Sequence, residues 1–501
     1  MRAVAAAAVR GLATRRRRAT PRIRDPTQNG LITSMGKRKE SPCQQDNHND
    51  SLPSKLMRTR IPDLPEEIWS HIHSQLPMRD AGRAACLSRA FLRSWTRHSK
   101  LVFDKDTIAV KKNSYGENFH HKISRILSNH SGISLKTFKL DYSGICGFDG
   151  TSYLDSWLQA VLNPGIEEVT LWLSDTRRKY EFPCSLLSDG VRNSLRYLKL
   201  RFCALHPMVE LGPLRSLTSL HLFFVTITWD ELKCLLSNSL ALEELELVFC
   251  EEIVCLKISC ALHRLNSLHI TECSNLKVIE SKAPNLSSLK LIGHGLNFSR
   301  VETLQMKKLI IERTIHDARN RLPSIMPNLE TLAIYSDLEY QAVAAPILPT
   351  KFLYLKHLAI RLSSGTTITQ AFDYFSLVSF LDASPSLETF ILNVNQKRMI
   401  HESISAHPQL RHTHKHRHGH LKSVKICGFS SVKSLFELTR YILENAVSLE
   451  CLTLTPFMGF GVVRVSVQGV PLCLIMFLWT LPKRSRLSGH TSSTKFHPQL
   501  N

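Results

Sequence analysis

Five histidines alternate through the run RHTHKHRHGH, at positions 412, 414, 416, 418 and 420. On an extended strand this spacing puts the imidazoles on one face, a pattern that can hold zinc, nickel or copper weakly. A structural zinc site also needs cysteine or carboxylate partners, and none stands nearby in the sequence. The run is therefore expected to be a solvated basic loop ahead of a strand at Leu421. Other chemistry is hard to find. The chain contains no GxxxxGK[ST], no GxSxG and no HExxH. Its thirteen cysteines include no CxxC pair, which argues against a zinc ribbon or a thioredoxin-like site. The expectation is a protein with no catalytic residues, no cofactor and no metal.

The elements that would carry a binding function emerge from a repeat. The pattern L-x-x-L-x-L returns as LRYLKLRFC from Leu195, LTSLHLFFV from Leu217, LEELELVFC from Leu242 and LNSLHITEC from Leu265. It continues as LSSLKLIGH from Leu286, LETLAIYSD from Leu329 and LKHLAIRLS from Leu355, with looser copies at Leu135, Ile166, Met306, Leu387, Leu421 and Leu449. Consecutive starts lie 20 to 34 residues apart, centred on the period of a leucine-rich repeat. Alternating apolar positions make a short strand buried on one face, and each strand completes its sheet only by pairing with its neighbours. The fold class expected is α/β, a curved parallel sheet wound as a solenoid. Outward positions Lys199, His221, Glu246, His269 and Lys290 would line its concave face and touch a target. Their charges are mixed, and no aromatic cluster or basic row is visible among them. Cys203, Cys250 and Cys273 share one repeat position and are expected to be buried thiols, which suits a reducing compartment.

Residues 61–95 read differently: IPDLPEEIWSHIHSQLPMRDAGRAACLSRAFLRSW. Three short helical patterns break at Leu76-Pro77 and Leu87-Ser88. Asp63 and Glu66 have capping-box spacing, Pro65 is tolerated in a first turn, and Ile68 and Ile72 share a face beside Trp69. Ala81, Ala84 and Ala85 give the second helix a small-residue face, and Ser88 can cap a third that carries Phe91, Leu92 and Trp95. The segment could be a plain cap on the solenoid's first repeat. Its apolar residues, however, point in more directions than about 35 residues can cover alone.

The order Leu-Pro, an isoleucine pair, Leu-Pro, a small-residue helix, Leu-Ser and a closing Trp resembles the F-box. Followed by leucine-rich repeats, and by HLKSVKICGFSSVKSLFELTRYILENAVSLECLTL at residues 420–454, it resembles the plant F-box/leucine-rich-repeat proteins with an FBD-like closing segment. The resemblance covers roughly residues 61–455. It implies an N-terminal three-helix F-box followed by the solenoid, in a non-catalytic substrate receptor of a cullin–RING ubiquitin ligase. It implies that the F-box docks on a Skp-type adaptor, and through it on a cullin scaffold, while the repeats hold an unknown target protein. Carried over to adaptor binding are Leu64, Pro65, Ile68, Ile72, Leu76, Pro77, Leu87, Ser88 and Trp95. The alternative is a leucine-rich interaction scaffold with no ligase role.

The formal charge of +22 does not point to nucleic acid. Residues 1–60 and 395–501 each carry ten net positive charges, leaving +2 on the body between them. A phosphate-tracking face would lie on the folded body instead. The expected organisation is a disordered basic leader at 1–60, an F-box at 61–105, repeats over 130–455 and an atypical tail at 456–501. The leader resembles a transit peptide but lacks serine before Ser34, Met35 is a second candidate start, and Lys37-Arg38-Lys39 is a weak import signal. Nucleus, cytoplasm or both are the expected locations. The apolar run Gly469–Leu481 is 13 residues long, short of the roughly 20 of a membrane helix, so no membrane partner is expected. The sequence beyond Pro456 looks unlike the family's closing strands, as an altered reading frame would.

Overall fold

The computed structural model describes residues 65–456 with short interruptions, and residues 463–466. Leu64, the leader and the apolar run at 469–481 lie outside the described residues. The chain divides into two compact units, Met1–Leu101 with Ser128–Leu135, and Val102–Leu127 with Lys136–Asn501.

In the first unit three helices follow the sequence breaks: α1 (Glu66–Ser74), α2 (Met78–Ala85) and α3 (Arg89–Trp95). Proline starts two of them. Pro65 and Pro77 are the N-caps of α1 and α2, with φ near −55° and extended ψ. Their rings fix φ and forgo only an N–H that a helix start leaves unpaired. Of the expected Asp63–Glu66 capping box, Asp63 lies outside the described residues, and the N-cap is Pro65. Glu66 is the first residue of α1, directly after the cap, and not the third, and no side chain caps that helix. Ser88 does cap α3, accepting the Phe91 N–H at 3.1 Å.

The small core of this unit is built by size matching. Ala81 and Ala84 are fully buried beside Met78 and Phe91. Trp95 lies over Gly82, close enough that an added Cβ would touch its ring at 3.7 Å. Trp69 meets Phe91 edge-on, with centroids 5.1 Å apart.

The second unit carries a long, mostly parallel sheet, and each of the thirteen repeat starts predicted one of its strands. Each of the thirteen repeat starts, from Leu135 to Leu449, is buried, and a strand begins two residues after it. Six strands matter below: β1 (Glu168–Trp172), β2 (Tyr197–Arg201), β3 (Ser219–Phe223), β4 (Glu244–Val248), β5 (Ser267–Thr271) and β6 (Ser288–Ile292). They pair in chain order without register slips, so Leu198, Leu220, Leu245, Leu268 and Leu289 align in one buried row. The sheet continues in chain order to Cys451–Pro456, with one register shift between Cys427 and Phe429, and Cys451–Pro456 also pairs antiparallel with Val463–Ser466. That last strand falls beyond residue 455, in the segment expected to be an atypical tail.

The chain returns between successive strands of the sheet by two kinds of path. The repeats from Leu242, Leu265 and Leu286, 20 to 23 residues long, return through strands Cys255–Ile258, Val278–Ser281 and Asn297–Val301, which form a second parallel sheet. The 28-residue repeat from Leu421 returns through helix Lys433–Asn445. The 23-residue repeat from Met306 also returns through a helix, Ile315–Ile325, so length alone does not decide the path.

At the end of each of β2 to β5 the next residue has left-handed backbone: Phe202, Phe224, Phe249 and Glu272, with φ of 52–55°. Glycine takes the equivalent place after β6, at Gly293. In the four non-glycine residues the conformation turns the N–H onto the last carbonyl of the next strand, with Phe224 N–H to Val248 O at 2.8 Å, while the Gly293 N–H donates to a Glu312 carboxylate oxygen at 2.8 Å. Phe202, Phe224 and Phe249 stack in sequence, at centroid distances of 4.6 and 4.5 Å, which offsets the backbone cost. Gly428 is required for a different reason, since a Cβ there would lie 2.1 Å from the Val394 carbonyl oxygen.

Among the described residues no helix is long and apolar enough to cross a membrane. All ten described cysteines are free, and Cys203, Cys250 and Cys273 are buried as expected. Their thiols point at backbone carbonyls, Cys250 Sγ lying 3.5 Å from Leu222 O. Burial pushes the Cys203 thiol up to about 12.

Candidate functional site

Two faces have the character of protein-docking surfaces, one in each unit. In the helical unit, the described large apolar side chains more than a third exposed are Ile68 at 46%, Leu87 at 43% and Leu92 at 50%. Pro65 and Pro77 are exposed as well. Helix amphipathicity explains the inner face, where Phe91 turns inward against Trp69, and leaves its neighbour Leu92 outward. Such outward apolar groups are what an interface anchors on.

The residues expected to dock an adaptor divide accordingly. Pro65, Ile68, Pro77 and Leu87 are exposed, whereas Ile72, Leu76, Ser88 and Trp95 are half-buried. Ser88 spends its hydroxyl on the α3 cap. Trp95 packs in a ring cluster with His73 and His98, at centroid distances of 6.5 and 5.7 Å. Leu92 was read as part of the third helix but not as a docking residue; its place between inward Phe91 and a polar Arg93 was the available signal.

The histidines beneath this surface were not singled out by the sequence. His73 Nε2 donates to the Ala81 carbonyl at 3.0 Å, tying α1 to α2. His98 Nδ1 accepts the Lys100 N–H at 3.1 Å, and His130 Nε2 donates to the His98 carbonyl at 2.9 Å. Burial holds all three imidazoles below their usual range, His73 down to about 4. His73 and His98 are buried and His130 is half-buried, and all three are neutral hydrogen-bonding residues at pH 7.

The second face is the solvent-facing side of β1 to β6. The five expected target residues form one row, because register places Lys199 beside His221, His221 beside Glu246, Glu246 beside His269 and His269 beside Lys290. His221 Nδ1 lies 2.8 Å from a Glu246 carboxylate oxygen, and this bond holds the Glu246 carboxyl below its usual range. Burial lowers His269.

The expectation that this face lacks an aromatic cluster is wrong. Trp172, Tyr197 and Phe223 come from three successive repeats, and Trp172 and Phe223, with ring centroids 5.2 Å apart, flank Lys199. Lys199 Nζ sits 4.7 Å from the ring centroids of both Trp172 and Phe223. Arg201 lies 4.8 Å over Trp172 and 4.4 Å over Phe202. Tyr197 packs on His221 at 4.9 Å. In sequence these rings stand 25 or more residues apart, and only lateral strand pairing unites them. Trp, Tyr and Arg are the residue types that most often dominate binding energy at interfaces.

The histidine run is not a uniformly solvated loop. His412 and His420 are exposed and His414 lies outside the described residues, but His416 is half-buried and His418 is 5% exposed. His418 Nε2 is 3.1 Å from the Tyr441 hydroxyl and 3.5 Å from Asp382 Oδ1. The carboxylate that seemed missing arrives from more than 30 residues upstream.

Comparison with known proteins agrees with both units. A family model of the F-box domain matches residues 61–103. A model described as At1g61320/AtMIF1, LRR domain, matches residues 126–484, through the last strand of the sheet and beyond. The chain is similar to an F-box/LRR-repeat protein of Arabidopsis thaliana, At3g03360, with 26% identity over 51% of this chain and 52% of the relative. It is also similar to a putative FBD-associated F-box protein, At1g61330, with 23% identity over 79% of this chain and 90% of the relative. A third relative, the FBD-associated F-box protein At1g61320, is 23% identical over 66% of this chain and 75% of its own length. Thus the chain spans about half of the first relative and most of the other two.

Proposed function

Because the chain belongs to the F-box/leucine-rich-repeat family, we propose that it is the substrate-recognition subunit of a Skp–cullin–F-box ubiquitin ligase. In this reading the helical unit docks on a Skp-type adaptor, which links it to a cullin scaffold. The sheet face then holds a target protein. The chain performs no bond chemistry itself; it raises the concentration of the target beside a ubiquitin-loaded partner. The site of action is the nucleus, the cytoplasm or both, and a population of free thiols is compatible with a reducing compartment.

The observation that carries the reading is the outward placement of Ile68, Leu87 and Leu92 on a small unit whose own core is already filled by Met78, Ala81, Ala84 and Phe91. Apolar groups of this size left outward in a compact unit mark an interaction surface. For the target, the support is the aromatic and cationic cluster of Trp172, Tyr197, Lys199, Arg201 and Phe223 beside the His221–Glu246 pair.

The test is a pull-down of the full chain with a plant Skp-type adaptor, run beside Ile68→Glu and Leu87→Glu. These exposed positions are better probes than Leu76 or Pro77, since Pro77 caps α2 and its loss confounds folding with binding. Retention of the adaptor by the wild type and its loss from both folded variants is the expected result. A folded wild type that retains no adaptor overturns the ligase reading and leaves an interaction scaffold.

A further inference from the structure

Three donor groups of types that bind metals meet at one place in the second unit, outside both docking faces. Asp382 ends the helix Val378–Asp382. His416 and His418 lie on the segment leading into strand Ser423–Phe429. Their candidate ligand atoms all lie within 4.8 Å of one another.

The segment is held in place by its backbone. Asn445, at the end of helix Lys433–Asn445, accepts the His416 N–H on its side-chain oxygen at 2.9 Å and the His418 N–H on its carbonyl at 3.0 Å. Alternate spacing then puts the two imidazoles side by side, with centroids 5.1 Å apart. The Tyr441 hydroxyl donates to Asp382 Oδ1 and lies 3.1 Å from His418 Nε2, so a residue of a different helix orients the carboxylate from beside the site.

From this geometry we propose that Asp382, His416 and His418 form a binding site for a divalent cation of the zinc class. The donor set, two imidazoles and one carboxylate, suits a borderline-soft ion better than magnesium or calcium, which prefer all-oxygen shells. Tetrahedral zinc with ligand bonds near 2.0–2.1 Å spaces its donors about 3.3 Å apart. The His418 to Asp382 separation of 3.5 Å already meets that spacing. The half-buried His416 closes the set by turning its ring inward. Coordination through His418 Nε2 uses the neutral tautomer protonated at Nδ1. Tyr441 then serves as the group that orients the carboxylate ligand, a role such outer partners commonly take. The fourth position is left to water. The ion would tie the segment at 416–418, in the repeat from Leu387, to the preceding repeat that carries Asp382.

The experiment uses the full chain without a histidine tag, stripped of metal and titrated with Zn²⁺ against a chromophoric chelator. Co²⁺ absorption in the visible serves as the geometric readout. One equivalent bound with tetrahedral Co²⁺ bands is expected, together with a rise in the thermal midpoint on adding zinc. His416→Ala and Asp382→Asn should each weaken binding about tenfold or more, and the double variant His412→Ala/His420→Ala should leave it unchanged. Asp382→Asn keeps an acceptor for Tyr441, so a lost site in that variant is not a lost fold. Absence of saturable binding overturns the proposal. So does equal weakening by the His412/His420 variant, which would mean chelation by the histidine run at large.

Discussion

Arg411 Nε lies 3.0 Å from a carboxylate oxygen of Glu437, a residue of helix Lys433–Asn445 that is only 1% exposed. The Arg411 backbone N–H donates to the other oxygen, also at 3.0 Å, and the same guanidinium grips Asp373 through two further bonds. A single arginine thus joins a buried acid of the repeat from Leu421 to Asp373 of the repeat from Leu355. Removing it leaves a carboxylate without its counter-charge in a dry site.

Arg411→Ala is accordingly expected to lower stability by about 2–3 kcal/mol, less than for a fully buried pair because the guanidinium is half exposed. Adding Glu437→Gln to that variant should recover part of the loss, since a neutral amide costs less to bury. Urea denaturation of the two variants and the wild type checks both statements.

Phe224 separates backbone strain from ring stacking. Phe224→Ala loses the stack with Phe202 and Phe249 and keeps the left-handed φ of 55°. Phe224→Gly loses the same rings and relieves the backbone. The glycine variant should therefore be more stable than the alanine variant by about 1 kcal/mol, with both below wild type. Thermal melts of all three proteins give the order directly; alanine above glycine would contradict it.

Neighbouring positions on α3 should respond in opposite ways. Phe91→Ala empties a core site and is expected to cost about 3–4 kcal/mol. Leu92→Ala, at an outward position, should cost under about 1 kcal/mol yet weaken retention of the adaptor. Chemical denaturation paired with a binding assay resolves the two.

Acid should loosen the helical unit first. His73 stays neutral when folded down to about pH 4, whereas its unfolded imidazole takes up a proton near 6.5. Below 6.5 the unfolded chain binds more protons than the folded one, so stability falls as pH falls, and it levels off below about 4. The full loss from this residue is about 3 kcal/mol. Hydrogen exchange of α1–α3 amides at pH 7 and pH 5 should show faster opening at the lower pH. His73→Gln should flatten that difference.

The repeat was legible because its signal is local. A strand buried on one face needs only its own alternation of leucines, and every start from Leu135 to Leu449 led to a strand two residues later. The breaks at Leu76-Pro77 and Leu87-Ser88 likewise set the three helices, since proline and a capping serine act within one turn. The start of α1 was misread because Asp63 and Glu66 also have the spacing of a capping box, and a proline cap overrides it.

What depended on tertiary structure was every relationship that spans repeats. Trp172, Tyr197, Lys199 and Phe223 became one surface only when parallel pairing in register laid three strands side by side. Asp382 reached His418 across 36 residues because one repeat stacks on the next. Which of Phe91 and Leu92 faces outward was likewise settled by how α1 and α3 pack. Periodicity sets which face of an element is buried, and so the sequence by itself determined the solenoid and its helical leader. Lateral neighbours are set by the stacking of elements, which no single window of residues contains.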